Sequence, residues 1–138
     1  MIIEIDNPIL IPKIVELAKR LLPNTVNEKL EKLLLESMSS KDGKILVSKS
    51  NGSLNGYLLA TIESFDGKDV VFIQSSSITA SKENRYIGFE LITRLRMWAA
   101  EKRIEYIYAM TSRNPKSFNK RYNFEFVTNV IRRKVKDE

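Results

Sequence analysis

With 138 residues, 43% hydrophobic and 29% charged, the chain has the size and balance of a single domain over 1–138 and not of a disordered segment. It contains no cysteine and no histidine, so disulfides, thiol nucleophiles, the usual zinc sites and Ser-His triads are excluded, and no metal site is expected. The net charge of +6 favours anionic partners such as nucleic acid, acidic peptides or a phosphorylated small molecule, and with no long apolar run or signal-like start a cytoplasmic location without a membrane role is expected.

The opening MIIEI reads as a short strand stopped by Asp6-Asn7-Pro8, where Asp6 or Asn7 can cap a helix with Pro8 at its first position. Ile11, Ile14, Leu17, Ala18, Leu21 and Leu22 then fall on one helical stripe, which Pro23 closes. A second amphipathic helix is predicted from about Val26 to Met38, buried through Leu30, Leu33 and Leu34. Beyond it the apolar period falls to two. The turn signals Asn51-Gly52 and Asp66-Gly67 separate three consecutive antiparallel strands at about 44–49, 55–64 and 69–79. The serines at 75–77 read either as an exposed strand edge or as hydroxyls lining a cleft. Residues 84–102 form the best helix of the chain, with Phe89, Ile92, Leu95 and Ala99 as its stripe and Trp98 as core beside Leu95. IEYIYAM (104–110) is a strand with Tyr106 and Tyr108 on one face. NPKSFNKRY is a short helix, and FEFVTNVIRRKV supplies one long or two short final strands, whose edge offers a route to a homodimer. The order is β-α-α-β-β-β-α-β-α-β, an α/β (α+β) arrangement around one mixed sheet.

The stretch ENRYIGFELI (83–92) has the parts of a phosphate cradle. A helix start leaves backbone N–H groups unpaired and carries partial positive charge. Gly88 lets an anion approach that backbone, and Arg85 adds charge.

This order, with Arg85, Tyr86, Ile87, Gly88, Phe89 and Glu90 between the fourth strand and the third helix, resembles the GNAT acyltransferase superfamily, whose members transfer acyl groups from coenzyme A to amines. Gly52 and Gly56 look like the family's entry to its third strand. SFNKRYNFEF (117–126) resembles its closing phrase, with Phe118, Asn119, Asn123 and Phe124 in the matching places. The resemblance implies a GNAT-like fold and an N-acetyltransferase moving an acetyl group from acetyl-CoA to an amine by direct attack. A backbone N–H near Ile78, Thr79 and Ala80 would hold the thioester carbonyl, the pyrophosphate would sit on Arg85 to Glu90, and Asn114 would bond the pantetheine arm. Glu90 stands where the family has Gly or Ala. Asn119 stands where it often has the Tyr that protonates the departing thiolate, with Tyr122 one helical turn on as the substitute. The first candidate for the general base is Glu63, and the second is Gln74 through a bound water; the cluster Glu63, Asp66 and Asp69 also reads as a solvated turn.

The acceptor is a small-molecule or peptide amine. Two other readings stand beside this one. The altered positions Glu90 and Asn119 fit a binding or regulatory module of the same fold without transferase activity. The charge, with Lys116, Lys120, Arg121, Arg132, Arg133, Lys134 and Lys136 towards the end, suggests a nucleic-acid binder. No helix-turn-helix, zinc or RNP motif accompanies those residues, and strand alternation splits Arg132 from Arg133.

Overall fold

The computed structural model describes residues 1–21, 27–79 and 86–109. In chain order these form β1 (Ile2–Glu4), a 3-10 turn (Pro8–Leu10), α1 (Ile11–Leu21), α2 (Asn27–Met38), β2 (Gly43–Ser50), β3 (Ser53–Phe65), β4 (Lys68–Ile78), α3 (Ile87–Glu101) and β5 (Ile107–Ala109). Apart from the 3-10 turn, this is the expected order through its eighth element. The predicted final helix and strands, and with them the edge for a second copy, lie outside the described residues.

The five strands form one sheet in the order β1-β2-β3-β4-β5. The pairs from β1 to β4 are antiparallel, and β4 pairs with β5 in parallel, with α3 as the crossover between them. Both tight hairpins come from dipeptides that tolerate the left-handed region: Asn51 and Gly52 have φ of 53° and 80°, Asp66 and Gly67 of 52° and 79°. Asn7 accepts a hydrogen bond from the Ile9 N–H at 3.1 Å, so the capping signal is real, although the turn it caps is the 3-10 turn that leads into α1.

Both faces of the sheet are covered, which is why the middle of β3 reads as an unbroken apolar run and not as an alternation. Leu46, Leu58, Ala60, Val71 and Ile73 pack on one face with Leu91, Leu95 and Trp98 of α3. Ile45, Val47, Tyr57 and Leu59 pack on the other with Ile14, Leu17, Leu30 and Leu34 of α1 and α2. The β3–β4 register shifts between Leu59 and Ala60, whose partners are Ser75 and Ile73, so Gln74 is the extra residue of a bulge.

Two sequence expectations need correction. Leu33 is not in the buried stripe of α2: it is 38% exposed, and the stripe is Leu30, Leu34 and Ser37. Position 43 needs glycine, because a Cβ there would lie 2.5 Å from the Ser37 carbonyl oxygen where α2 meets the start of β2. Phe89 is 49% exposed; the buried stripe of α3 is Ile87, Gly88, Leu91, Leu95, Trp98 and Ala99, one step around the helix from the predicted one. The serines at 75–77 pair with β3, while the described β4–β5 ladder covers only Val71 to Ile73, so their other side lies beyond the described pairing.

Candidate functional site

The start of α3 is placed by a glycine on a strand. A Cβ at Gly56 of β3 would lie 3.1 Å from the Ile87 side chain, 3.4 Å from the Ser77 carbonyl oxygen and 3.5 Å from the Ile78 side chain. The bare backbone there lets the first residue of α3 rest directly on the sheet, over the end of β4, which Gly56 faces through Ile78. Tyr86 stands at the N-cap and its side chain makes no capping hydrogen bond. The Glu90 N–H closes the first turn on the Tyr86 carbonyl at 3.1 Å. Gly88 is buried against the sheet, while Glu90, about 200° further round the helix, is exposed, so its carboxylate does not share Gly88's face. Arg85, the cation of the sequence motif, lies outside the described residues, as do Ala80, Asn114, Asn119 and Tyr122.

The backbone beyond the bulge is directional. The Thr79 N–H donates to the Asn55 carbonyl at 2.9 Å, towards β3. Strand alternation turns the N–H of Ile78, and of Ser76 before it, to the β5 side. The described β4–β5 ladder ends at Ile73 and Ala109, one residue short of the bulge at Gln74. Of the residues named for the carbonyl oxygen, Ile78 turns its N–H to the β5 side and Thr79 donates its own to Asn55.

On the face away from α3, the two candidate bases come together. Thr61 donates its hydroxyl proton to the Glu63 carboxylate at 2.9 Å and accepts from the Gln74 amide, also at 2.9 Å. Glu63 and Gln74 are both exposed, so the row is open to an incoming molecule. The turn residue Asp66 and the strand residue Asp69 make no described contact with it. Thr61 was missed from sequence, although its place two residues before Glu63 on a strand puts both on one face.

Deeper on the same face, the Tyr57 hydroxyl and Ser75 Oγ share a hydrogen bond of 2.6 Å. Tyr57 is fully buried among the residues under α1 and α2. Burial pushes its phenol above the ordinary value of 10.0, and the bond to Ser75 offsets part of that rise. Nothing local in the sequence singles out this pair, which depends on the cross-strand register. Among the described residues no group of three or more acidic side chains is placed to hold a metal ion, and no helix is long and apolar enough to cross a membrane.

A recess of about 290 Å³ opens elsewhere, between the C-terminal ends of α2 and α3. Lys44 lines it, 2.6 Å from the Glu4 carboxylate and 5.3 Å from the centre of the Trp98 ring. Its charge is thus already satisfied, and the recess lies away from the start of α3.

No protein-family model matches the chain, and no curated protein sequence matches it. Solved structures do. The chain is similar to AAC(6')-Iy in complex with a CoA bisubstrate analogue, at 18% identity and a TM-score of 0.82 over 99% of this chain and 98% of that one. It is similar to the aminoglycoside 6'-N-acetyltransferase AAC(6')-Ih of Acinetobacter baumannii, at 14% identity and a TM-score of 0.82 over 100% and 99%. It is also similar to a predicted acetyltransferase of Clostridium acetobutylicum solved with acetyl-CoA, at 15% identity and a TM-score of 0.79 over 98% and 97%. The chain has the GNAT acyltransferase fold, as its element order predicted.

Proposed function

We propose that this chain is an N-acetyltransferase that uses acetyl-CoA and acetylates an amine by direct attack. The observation that carries the proposal is the start of α3, seated through Ile87 on the bare backbone of Gly56 over the end of β4, in a fold shared over nearly its whole length with acetyltransferases solved with CoA or acetyl-CoA. The residues present fit that co-substrate: the N-cap residue Tyr86 makes no side-chain capping hydrogen bond, and the net charge of +6 suits a polyanion.

Bound acetyl-CoA supplies an acetyl group already activated as a thioester. The first turn of α3 from Tyr86 to Glu90, with Arg85 before it, binds the pyrophosphate, and Asn114 bonds the pantetheine arm. The Ile78 N–H, directed to the β5 side, donates to the carbonyl oxygen and stabilises the negative charge that develops there. Glu63, held by Thr61, removes the proton from the amine directly or through a water on Gln74. The nitrogen–carbon bond forms as the carbon–sulfur bond breaks, and the thiolate leaves with a proton supplied from the segment carrying Asn119 and Tyr122. No cysteine is available for an acyl-enzyme, which leaves direct attack as the economical route. A cytoplasmic location belongs to the same proposal.

Calorimetric titration with CoA and acetyl-CoA tests the reading. Saturable binding that is weakened by Gly56→Val and by Arg85→Ala, with the fold intact by circular dichroism, supports it. No binding at millimolar ligand removes it, and leaves a chain with this fold and another task.

A further inference from the structure

On the sheet face away from α3, the row of Thr61, Glu63 and Gln74 borders a group of aromatic side chains. Val71 and Ile73 pack against α3, so Phe72 between them faces the other way. Phe72 is the cross-strand partner of both Thr61 and Tyr108, which sets the polar row and the aromatic group side by side. The Tyr108 ring lies 5.0 Å from Phe65, 6.5 Å from Phe72 in a stacked arrangement, and 6.5 Å from Tyr106 edge-on. Val70, on the same face by alternation, is 3% exposed, whereas Tyr106 remains 53% exposed at the rim. Glu63 and Tyr106 flank Val70 from its two sides and both are exposed, which is not what core packing requires.

The charges around this surface are few. Among the described residues of β3, β4 and β5, alternation puts one carboxylate on this face, Glu63, and one cation, Lys68. The chain as a whole is basic, with 23 Lys and Arg against 17 Asp and Glu. A polycationic acceptor needs several carboxylates and would be repelled by the net charge. One ammonium group can pair with Glu63 while its apolar body lies against Tyr106 and Tyr108.

Resting on the transferase reading above, we infer that the acceptor is a monoamine with a flat apolar body, an arylalkylamine in chemical class, with its ammonium at Glu63 and its ring on Tyr106 and Tyr108. The likeness to aminoglycoside acetyltransferases therefore does not extend to their polycationic substrates.

The test is the rate of thiol release from acetyl-CoA, read with a disulfide reagent to which this cysteine-free chain adds no background. 2-Phenylethylamine and tryptamine are compared with spermidine and kanamycin. The arylalkylamines are expected to show kcat/KM at least about tenfold higher. Tyr106→Ala should raise their KM about five- to tenfold, with kcat and the acetyl-CoA KM unchanged, and Tyr106→Phe should keep the parent KM. A polyamine or aminoglycoside turned over more efficiently overturns the inference, and so does an arylalkylamine KM unmoved by Tyr106→Ala. Acetyl-CoA bound in calorimetry with none of the amines turned over counts against the transferase reading itself, and the inference falls with it.

Discussion

Glu63 stands at the end of a short row of hydrogen bonds, and that row decides how it can act. Thr61 holds one carboxylate oxygen at 2.9 Å and is itself held by Gln74, so the other oxygen is left to face an amine. Removing the base should cost most: Glu63→Gln is expected to lower kcat by about a hundredfold or more, the usual scale of general-base catalysis. Thr61→Val removes the orienting hydroxyl and keeps the carboxylate. It should lower kcat several-fold, on the order of one lost hydrogen bond, with the acetyl-CoA KM unchanged. Equal turnover by Glu63→Gln and the parent in single-turnover kinetics would transfer the role to another group. Tyr57 belongs to stability instead. Its folded phenol titrates above 10.0, so the folded state keeps a proton that the unfolded chain gives up. The contribution of this phenol to stability is therefore level below pH 10 and falls as pH rises from there through the raised folded value. Tyr57→Phe should flatten that alkaline limb in urea melts and, by leaving Ser75 without its partner, lower stability at neutral pH by about 1 kcal/mol.

At the scale of elements, the meeting of β3 with α3 is the part most sensitive to a single atom. Ile87 rests within 3.1 Å of where a Cβ on Gly56 would stand. Gly56→Ala asks the Ile87 side chain to give by a few tenths of an ångström, while Gly56→Val must push back the whole start of α3. The valine variant is expected to lose about 1–3 kcal/mol of stability, the range for overpacking, and to bind acetyl-CoA more weakly than the alanine variant does. Equal affinities would detach the cofactor from the helix start. This contact also shows what the sequence could reveal. The glycine in a strand, the two dipeptide turns and the strong α3 pattern are local signals, and each was legible. Leu33 and Phe89 were placed on the wrong side of their helices because a stripe of apolar residues does not say which of two neighbouring positions faces the sheet. Thr61 with Gln74, and Tyr57 with Ser75, depend on the register across β3 and β4. That register is set by a bulge at Gln74 with no turn residue to announce it.

Over the whole molecule, the excess of positive charge should make acetyl-CoA and the proposed arylalkylamine respond to salt in different ways. A chain of net charge +6 attracts a polyphosphate ligand from beyond contact distance, and the start of α3 adds local attraction to it. Screening shortens that reach from about 10 Å at 0.1 M to about 3 Å at 1 M ionic strength. The acetyl-CoA KM should thus rise steadily with added salt, mainly through slower association. The amine meets the opposite field. Its single cation is repelled by the molecule as a whole and attracted by Glu63 nearby, and screening weakens both, while the contact of its ring with Tyr106 and Tyr108 is indifferent to salt. Its KM is expected to change far less over the same range. Steady-state kinetics at a series of sodium chloride concentrations reads both parameters from one set of assays. An acetyl-CoA KM that does not move would mean that the charge excess lies away from the helix start. An amine KM that climbs as steeply as that of acetyl-CoA would mean that ion pairing, and not the aromatic surface, dominates its binding.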